Sequence, residues 1–346
     1  SFYNQLAGQL YEPRQFDFTQ FKYGCELILW GLFKKLVIAD RAYIAIKTVL
    51  DDFGDYSGTT LTFIILLYAL QLYTDFSGGI DISRGVAQIL GIDMVQNFRH
   101  PYFATTINDY WRRWHITLGN WMKEYIFYPL ALSKPLTNIT KRIKSTEFGA
   151  SEIGIHITKV LPASVASLVV FILVGIWHGT NWKYVAFGIW NGGVIMLSLL
   201  LEPLLRRFVK KLRINVKSKA FVLFQMARTF VIVFIGYVFD VAADFGDAMY
   251  TFRMMLTDQN FSRGWVEINA LGLGKKDYLV LAGCTMVVFI VSAIQEKCAN
   301  ESLRVMLDQK PFFVRYILLL VGIIVLLVFG IYGPGYNPAD FVYMQF

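Results

Sequence analysis

Apolar residues in this chain gather into long unbroken runs rather than alternating with polar ones. Six runs reach or approach the ~20 residues that a helix needs to cross the hydrocarbon core of a bilayer. They cover 59–75, 160–177, 182–203, 219–242, 278–295 and 312–332. A seventh, 23–48, is interrupted by Lys34 and Lys35. It predicts either two short helices or one long helix whose lysines snorkel to the headgroups. The pattern therefore predicts an all-α integral membrane protein, a multi-span helical bundle forming a single membrane domain over 1–346.

Two stretches between the runs differ from each other. Residues 76–159 begin with a dense aromatic region that includes Phe98, Tyr102, Phe103, Tyr110, Trp111, Trp114, Trp121 and Tyr125. Tyr and Trp favour the membrane interface. This predicts amphipathic or re-entrant helices near 79–91 and 106–128, folded into the bundle and lining a cavity, because non-helical backbone at membrane depth must be covered by protein or water. Residues 133–159 are rich in Ser, Thr, Lys and Gly and weakly periodic, which predicts a mobile surface loop.

Composition agrees: 55% of the 346 residues are hydrophobic and 17% charged, against about 25% charged in soluble domains. The net charge of +8 would suit nucleic acid, but the cations sit in the loops between apolar runs, so no nucleic-acid partner is expected. Arg206, Arg207, Lys210, Lys211, Arg213 and Lys217 occupy one loop with no acid between them, which places it in the cytoplasm by the positive-inside rule. Alternation of spans then puts 76–159 and 296–311 on the cytoplasmic side, and 243–277 and the tail from Gly333, with Asp340, outside. The three cysteines lack a metal-ligand or disulfide spacing, and no metal site is expected. There is no P-loop, HExxH or GxSxG motif.

Four histidines remain, and two have unusual settings. His178 ends an apolar run in GIWHG, with a turn of only Gly179 to Asn181 before the next. An ionisable side chain there is a functional candidate, and imidazole suits proton transfer near neutral pH. An interfacial histidine that caps its helix is the plainer alternative. His115 lies in WRRWH. In a continuous helix it follows Trp111 by four and joins a face with Tyr110, Trp114, Leu118 and Trp121. Arg112 and Arg113 turn elsewhere, toward a phosphate or toward Asp109. An interfacial helix touching lipid phosphates is the alternative. Asp75 ends a span before a Ser-Gly-Gly turn, as a site residue or a simple helix-end acid. His100 and His156 read as structural or exposed.

Several segments together resemble the membrane-bound O-acyltransferase family, in its bacterial alginate O-acetyltransferase-like branch. They are GLFKKLVIADR (31–41), LYTDFSGGIDISRGVAQILGI (72–92), NFRHPYFATTINDYWRRWHITLGNWMKEYIFYPL (97–130), GIWHG (175–179) and FVYMQF (341–346). The sister branch, D-alanyl transfer to teichoic acid, has similar motifs. The resemblance implies a helical bundle around a central tunnel, with the two family histidines falling on His115 and His178, the latter catalytic. It implies acetyl-CoA as acyl donor with no bound cofactor, an exported cell-surface glycan as acceptor, an extracytoplasmic SGNH-type transferase as partner, and the cell membrane as location. Asp75, Asn108, Asp109, Trp111, Arg112, Arg113, Trp114 and Trp177 become the expected lining of the substrate path. Members of the family usually carry further spans ahead of this region, so those N-terminal spans are expected to be lacking here, where the chain starts at Ser1. A transporter using Asp75, His115 and His178 as a relay is the reading from another class, and no internal repeat supports it. A fragment that has lost activity with the missing spans is a third.

Overall fold

The computed structural model describes residues 2–11, 15–51, 53–298 and 303–333; the FVYMQF segment and Asp340 lie outside them. Its principal helices are α1 (Phe18–Leu32), a π-helical segment (Phe33–Ala39), α2 (Asp40–Asp51), α3 (Gly58–Ile89), α4 (Ile107–Arg113), α5 (Ile116–Met122), α6 (Lys134–Lys144), α7 (Glu152–His178), α8 (Trp182–Leu200), α9 (Glu202–Lys211), α10 (Lys219–Val241), α11 (Lys275–Lys297) and α12 (Phe312–Phe329). Among the described residues six helices are long and apolar enough to cross a membrane: α3, α7, α8, α10, α11 and α12. They correspond to the six apolar runs, and the protein is an integral membrane protein. Polar residues mark the starts. The side chains of Asp17, Ser57, Thr106, Ser151, Asn181 and Ser218 each accept a backbone N–H in the first turn of α1, α3, α4, α7, α8 and α10, satisfying donors that the helix itself leaves open.

The chain divides into two compact units, Ser1–Gln96 with Arg253–Phe346, and Asn97–Phe252. In the first, α1 packs against α3 through paired glycines. A Cβ on Gly31 would stand 2.6 Å from the Gly78 carbonyl oxygen, and one on Gly24 would stand 2.7 Å from that of Gly85. This contact corrects the reading of 76–91. Ser77, Gly78 and Gly79 form no turn, and no separate helix starts near 79. They continue α3, where glycine serves close helix approach. Asp75 accordingly lies in mid-helix, fully buried, rather than at a span end. Replacing Gly31 with alanine pushes Cβ into backbone atoms that cannot step aside. It should cost about 1–3 kcal/mol, read as a lower thermal midpoint in detergent, whereas Gly283→Ala, with nothing within 4 Å, should not.

The interrupted seventh run is one continuous helical stretch. The lysines do not snorkel: the π-helical segment holds both inside the unit. Lys34 Nζ lies 2.8 Å from both Ser77 Oγ and Asp81 Oδ2. Lys35 Nζ lies 2.7 Å from Asp40 and 2.7 Å from Asp75. Arg41 pairs with Asp277 on α11. A π turn inserts one residue into the helical register, and here two adjacent cations both reach acids.

In the second unit α7 and α8 form a hairpin turned at Gly179–Asn181. A Cβ on Gly175 would meet the Tyr184 carbonyl oxygen at 2.1 Å, and one on Gly188 the Phe171 oxygen at 2.4 Å. Residues 133–159 are not a loop. They hold α6, a short turn of helix (Glu147–Ala150) and the first turns of α7. The Ser and Thr that weaken the pattern are caps: Thr146 and Ser151 accept from Gly149 and Gly154.

Candidate functional site

His115 sits where the aromatic region breaks. The expected continuous helix over 106–128 is interrupted between α4 and α5. Trp114 is extended, and His115 adopts the left-handed conformation, φ 46° and ψ 55°, which costs a non-glycine residue of order 1–3 kcal/mol. Asn97 holds the break open. Its carbonyl accepts from Ile116 N at 3.0 Å. Its side-chain oxygen accepts from Thr117 N at 2.9 Å and Thr117 Oγ1 at 2.8 Å. Arg99 N donates to Arg113 O at 2.9 Å beside it. A segment distant from the helix thus takes over the amides that would have continued it.

His178 is the last residue of α7. Its ring meets Trp177 edge-on at 5.1 Å and Phe187 edge-on at 5.9 Å, and stacks on Tyr184 at 6.1 Å. Phe187 also meets Trp111 at 6.3 Å, and Trp111 packs on Phe171 at 4.9 Å and on Tyr110 at 5.1 Å. Tyr110 in turn stacks on Trp114 at 5.8 Å. Its hydroxyl lies 2.7 Å from that of Tyr237, which lies 3.1 Å from that of Tyr102. Rings from α4, α7 and α8 thus make one continuous aromatic wall, tied by hydroxyls to α10. The two histidines, far apart in sequence, lie close enough for His178 to act electrostatically on His115. Burial, with His178 as the second cause, holds the His115 imidazole neutral at pH 7, its pKa pushed down to about 4, since a desolvated charge next to a like charge is doubly disfavoured.

The remaining candidates divide. Asp109 and Arg113 pair at 2.9 Å across one turn of α4, which leaves Arg112, exposed, as the arginine open to a ligand. Trp114 is buried, Asn108 half-buried, and Trp177 is 51% exposed. The buried Trp111 indole N–H has no hydrogen-bond partner among the described residues. Asp75 belongs to the first unit, with Lys35. His156 Nε2 lies 2.9 Å from Leu199 O and joins α7 to α8.

Sequence reasoning missed Lys183, Tyr184, Phe187, Tyr237 and Asp240. Lys183, buried, donates from Nζ to the carbonyls of Asp240 at 3.1 Å and Ala242 at 2.6 Å, where the end of α10 leaves carbonyls open. It thereby fixes the start of α8 and the two rings beside His178. A lysine one residue inside an apolar run with no nearby acid was the available signal. The tyrosines carried none, because Tyr is common in such runs.

This is a helical membrane protein with a histidine pair set in aromatic packing. Residues 1–143 match the MBOAT, membrane-bound O-acyltransferase, family. A peptidoglycan O-acetyltransferase of Helicobacter pylori is 35% identical over 184 residues, 51% of this chain and 29% of that protein. A probable alginate O-acetylase AlgI of Pseudomonas aeruginosa is 28% identical over 311 residues, 87% of this chain and 52% of that protein. A teichoic acid D-alanyltransferase of Streptococcus thermophilus is 26% identical over 129 residues, 37% of this chain and 27% of that protein. The chain spans about half the length, or less, of these relatives.

Proposed function

We propose that this chain carries the catalytic histidines of a membrane-bound O-acyltransferase that acetylates an exported cell-surface polysaccharide. The observation that carries the reading is the aromatic packing of His178 next to the Trp111 wall of the segment that ends at His115, in a chain similar to proteins named for acetylation of alginate and peptidoglycan. The donor is acetyl-CoA from the cytoplasm, with Arg112 offering its guanidinium to the CoA phosphates. The acceptor is a hydroxyl, either of the glycan or of an extracytoplasmic SGNH-type transferase that passes the acetyl on.

The His178 imidazole takes the acceptor proton as its oxygen attacks the thioester carbonyl carbon. The oxygen–carbon bond forms, and the carbonyl oxygen gains negative charge. Neutral His115 and the Trp111 indole supply N–H donors to that oxygen. The carbon–sulfur bond then breaks, and the departing thiolate takes the proton back from His178. Trp111, Trp114 and Trp177 limit water, which would otherwise hydrolyse the donor. Asp75 and Lys35 hold helices of the first unit in register.

The test supplies membranes carrying the chain with labelled acetyl-CoA or with a labelled D-alanyl carrier protein. Label leaving acetyl-CoA alone is the expected result. Label leaving only the D-alanyl carrier would assign the chain to teichoic acid modification. Transfer from neither, in a correctly inserted chain supplied with its partner, would overturn acyl transfer and favour a relay without chemistry.

A further inference from the structure

One helix of the second unit presents an apolar face with no protein upon it. In α9 the side chains of Leu204, Leu205 and Phe208, with Leu212 just past its end, are each at least half exposed. At 3.6 residues per turn they share one side. Arg206, Arg207, Lys210 and Lys211 take the other, and all four are exposed. Arg213 and Lys217 extend the charge. Two acids meet this face, Glu202 on Arg206 at 2.5 Å and Glu152 on Arg207 at 2.6 Å, and Lys210, Lys211, Arg213 and Lys217 leave it a surplus of positive charge.

The position of α9 identifies what covers it. One residue, Leu201, separates it from the end of span α8, and span α10 begins at Lys219. A helix tethered that closely at both ends lies at the boundary of the bilayer. Arg207 Nη2 reaches Glu152 Oε2 at 2.6 Å, which fixes α9 against the first turn of α7, the adjoining end of the same hairpin. A second basic group stands at that end. Lys141, Arg142 and Lys144 close α6. The close approach of Gly149 to the Ile143 carbonyl, and of Gly154 to that of Phe148, holds α6 beside the start of α7.

We propose that α9 lies flat in the headgroup layer with its leucines and Phe208 among the acyl chains, and that its basic face, with the end of α6, binds anionic phospholipid. Segregated apolar and cationic faces on a short helix are the pattern of an interfacial amphipathic helix. Its cations favour the anionic leaflet. The surface is separate from the histidine pair and does not depend on acyl transfer.

The whole chain is placed in nanodiscs of phosphatidylcholine with a minority of phosphatidylglycerol, and the phospholipids it retains are identified by native mass spectrometry. Wild type should retain phosphatidylglycerol selectively. The R206Q/R207Q/K210Q/K211Q variant should lose that selectivity by roughly fivefold per cation removed, while K275Q/K276Q at the start of α11 should keep it. Equal retention by wild type and the α9 variant would overturn the proposal. So would equal loss in the control, or loss of an acidic cytosolic protein in place of the lipid. A second reading follows an environment-sensitive probe attached at Phe208→Cys, in a chain whose three native cysteines are replaced. Emission shifted to the blue in the discs is expected, and emission characteristic of water would overturn the insertion of the apolar face.

Discussion

Replacing His178 with alanine should lower acetyl transfer from acetyl-CoA by about 10²–10⁴-fold, the range that a positioned general base contributes. The ring ends α7 against Tyr184 and Phe187, and its loss leaves the glycine-packed α7–α8 hairpin intact. Insertion and thermal stability should therefore change little, which separates chemistry from folding. His115→Ala should cost a comparable factor, because removing a donor to a developing oxyanion costs about 10²–10³-fold. The double variant should be little worse than the poorer single, since residues acting on one transition state are not additive. His115 carries one complication that its partner does not. Its left-handed backbone is held by Asn97 rather than by its own ring, so alanine there should keep the break, and Asn97→Ala should disturb it with His115 still present. Full transfer by a correctly inserted His178→Ala protein would remove His178 from the mechanism. Full transfer by both single variants would remove the histidine pair altogether.

Much of this architecture was legible because a bilayer requires so much of a span. A run such as 312–332 has no alternative to α12, which is apolar but for Arg315 and Tyr316 near its start and has no buried residue. That His178 acts electrostatically on His115 could not be read from local pattern, since no spacing links residues so far apart, and only the resemblance to a family put the two together. Where the reading failed, a distant contact had overruled a local signal. Ser77-Gly78-Gly79 has the composition of a turn, but Gly31 across the interface uses Gly78 for close approach and the helix runs on. The WRRWH segment has helical spacing, but Asn97 competes for the amides of Ile116 and Thr117. The polar stretch 133–159 looks unstructured because its Ser and Thr serve as caps rather than as a face. Lys34 and Lys35 interrupt hydropathy without interrupting the helix, since their charges are met by acids on other turns.

Those lysines yield the second large effect, an asymmetry. Lys35→Met should destabilise the protein by about 3–5 kcal/mol, the usual cost of removing one partner of a buried ion pair. Asp75→Asn should cost distinctly less. Lys35 stands between two carboxylates, Asp40 and Asp75, at 2.7 Å from each. Removing it strands two buried acids, one of them on a fully buried residue. Removing the Asp75 charge leaves Lys35 still paired with Asp40, and an amide oxygen can accept from the same Nζ. Neutralising both acids together with the lysine should recover much of the loss, because a buried ionic group replaced entirely by neutral side chains of similar volume is often tolerated. Thermal unfolding of the three proteins in one detergent checks the order. Equal losses from Lys35→Met and Asp75→Asn would mean that Asp40 does not share the lysine. A larger loss from Asp75→Asn would give the Asp75 carboxylate a role that its pairing with Lys35 does not explain, and would place it among residues required for more than the packing of α3.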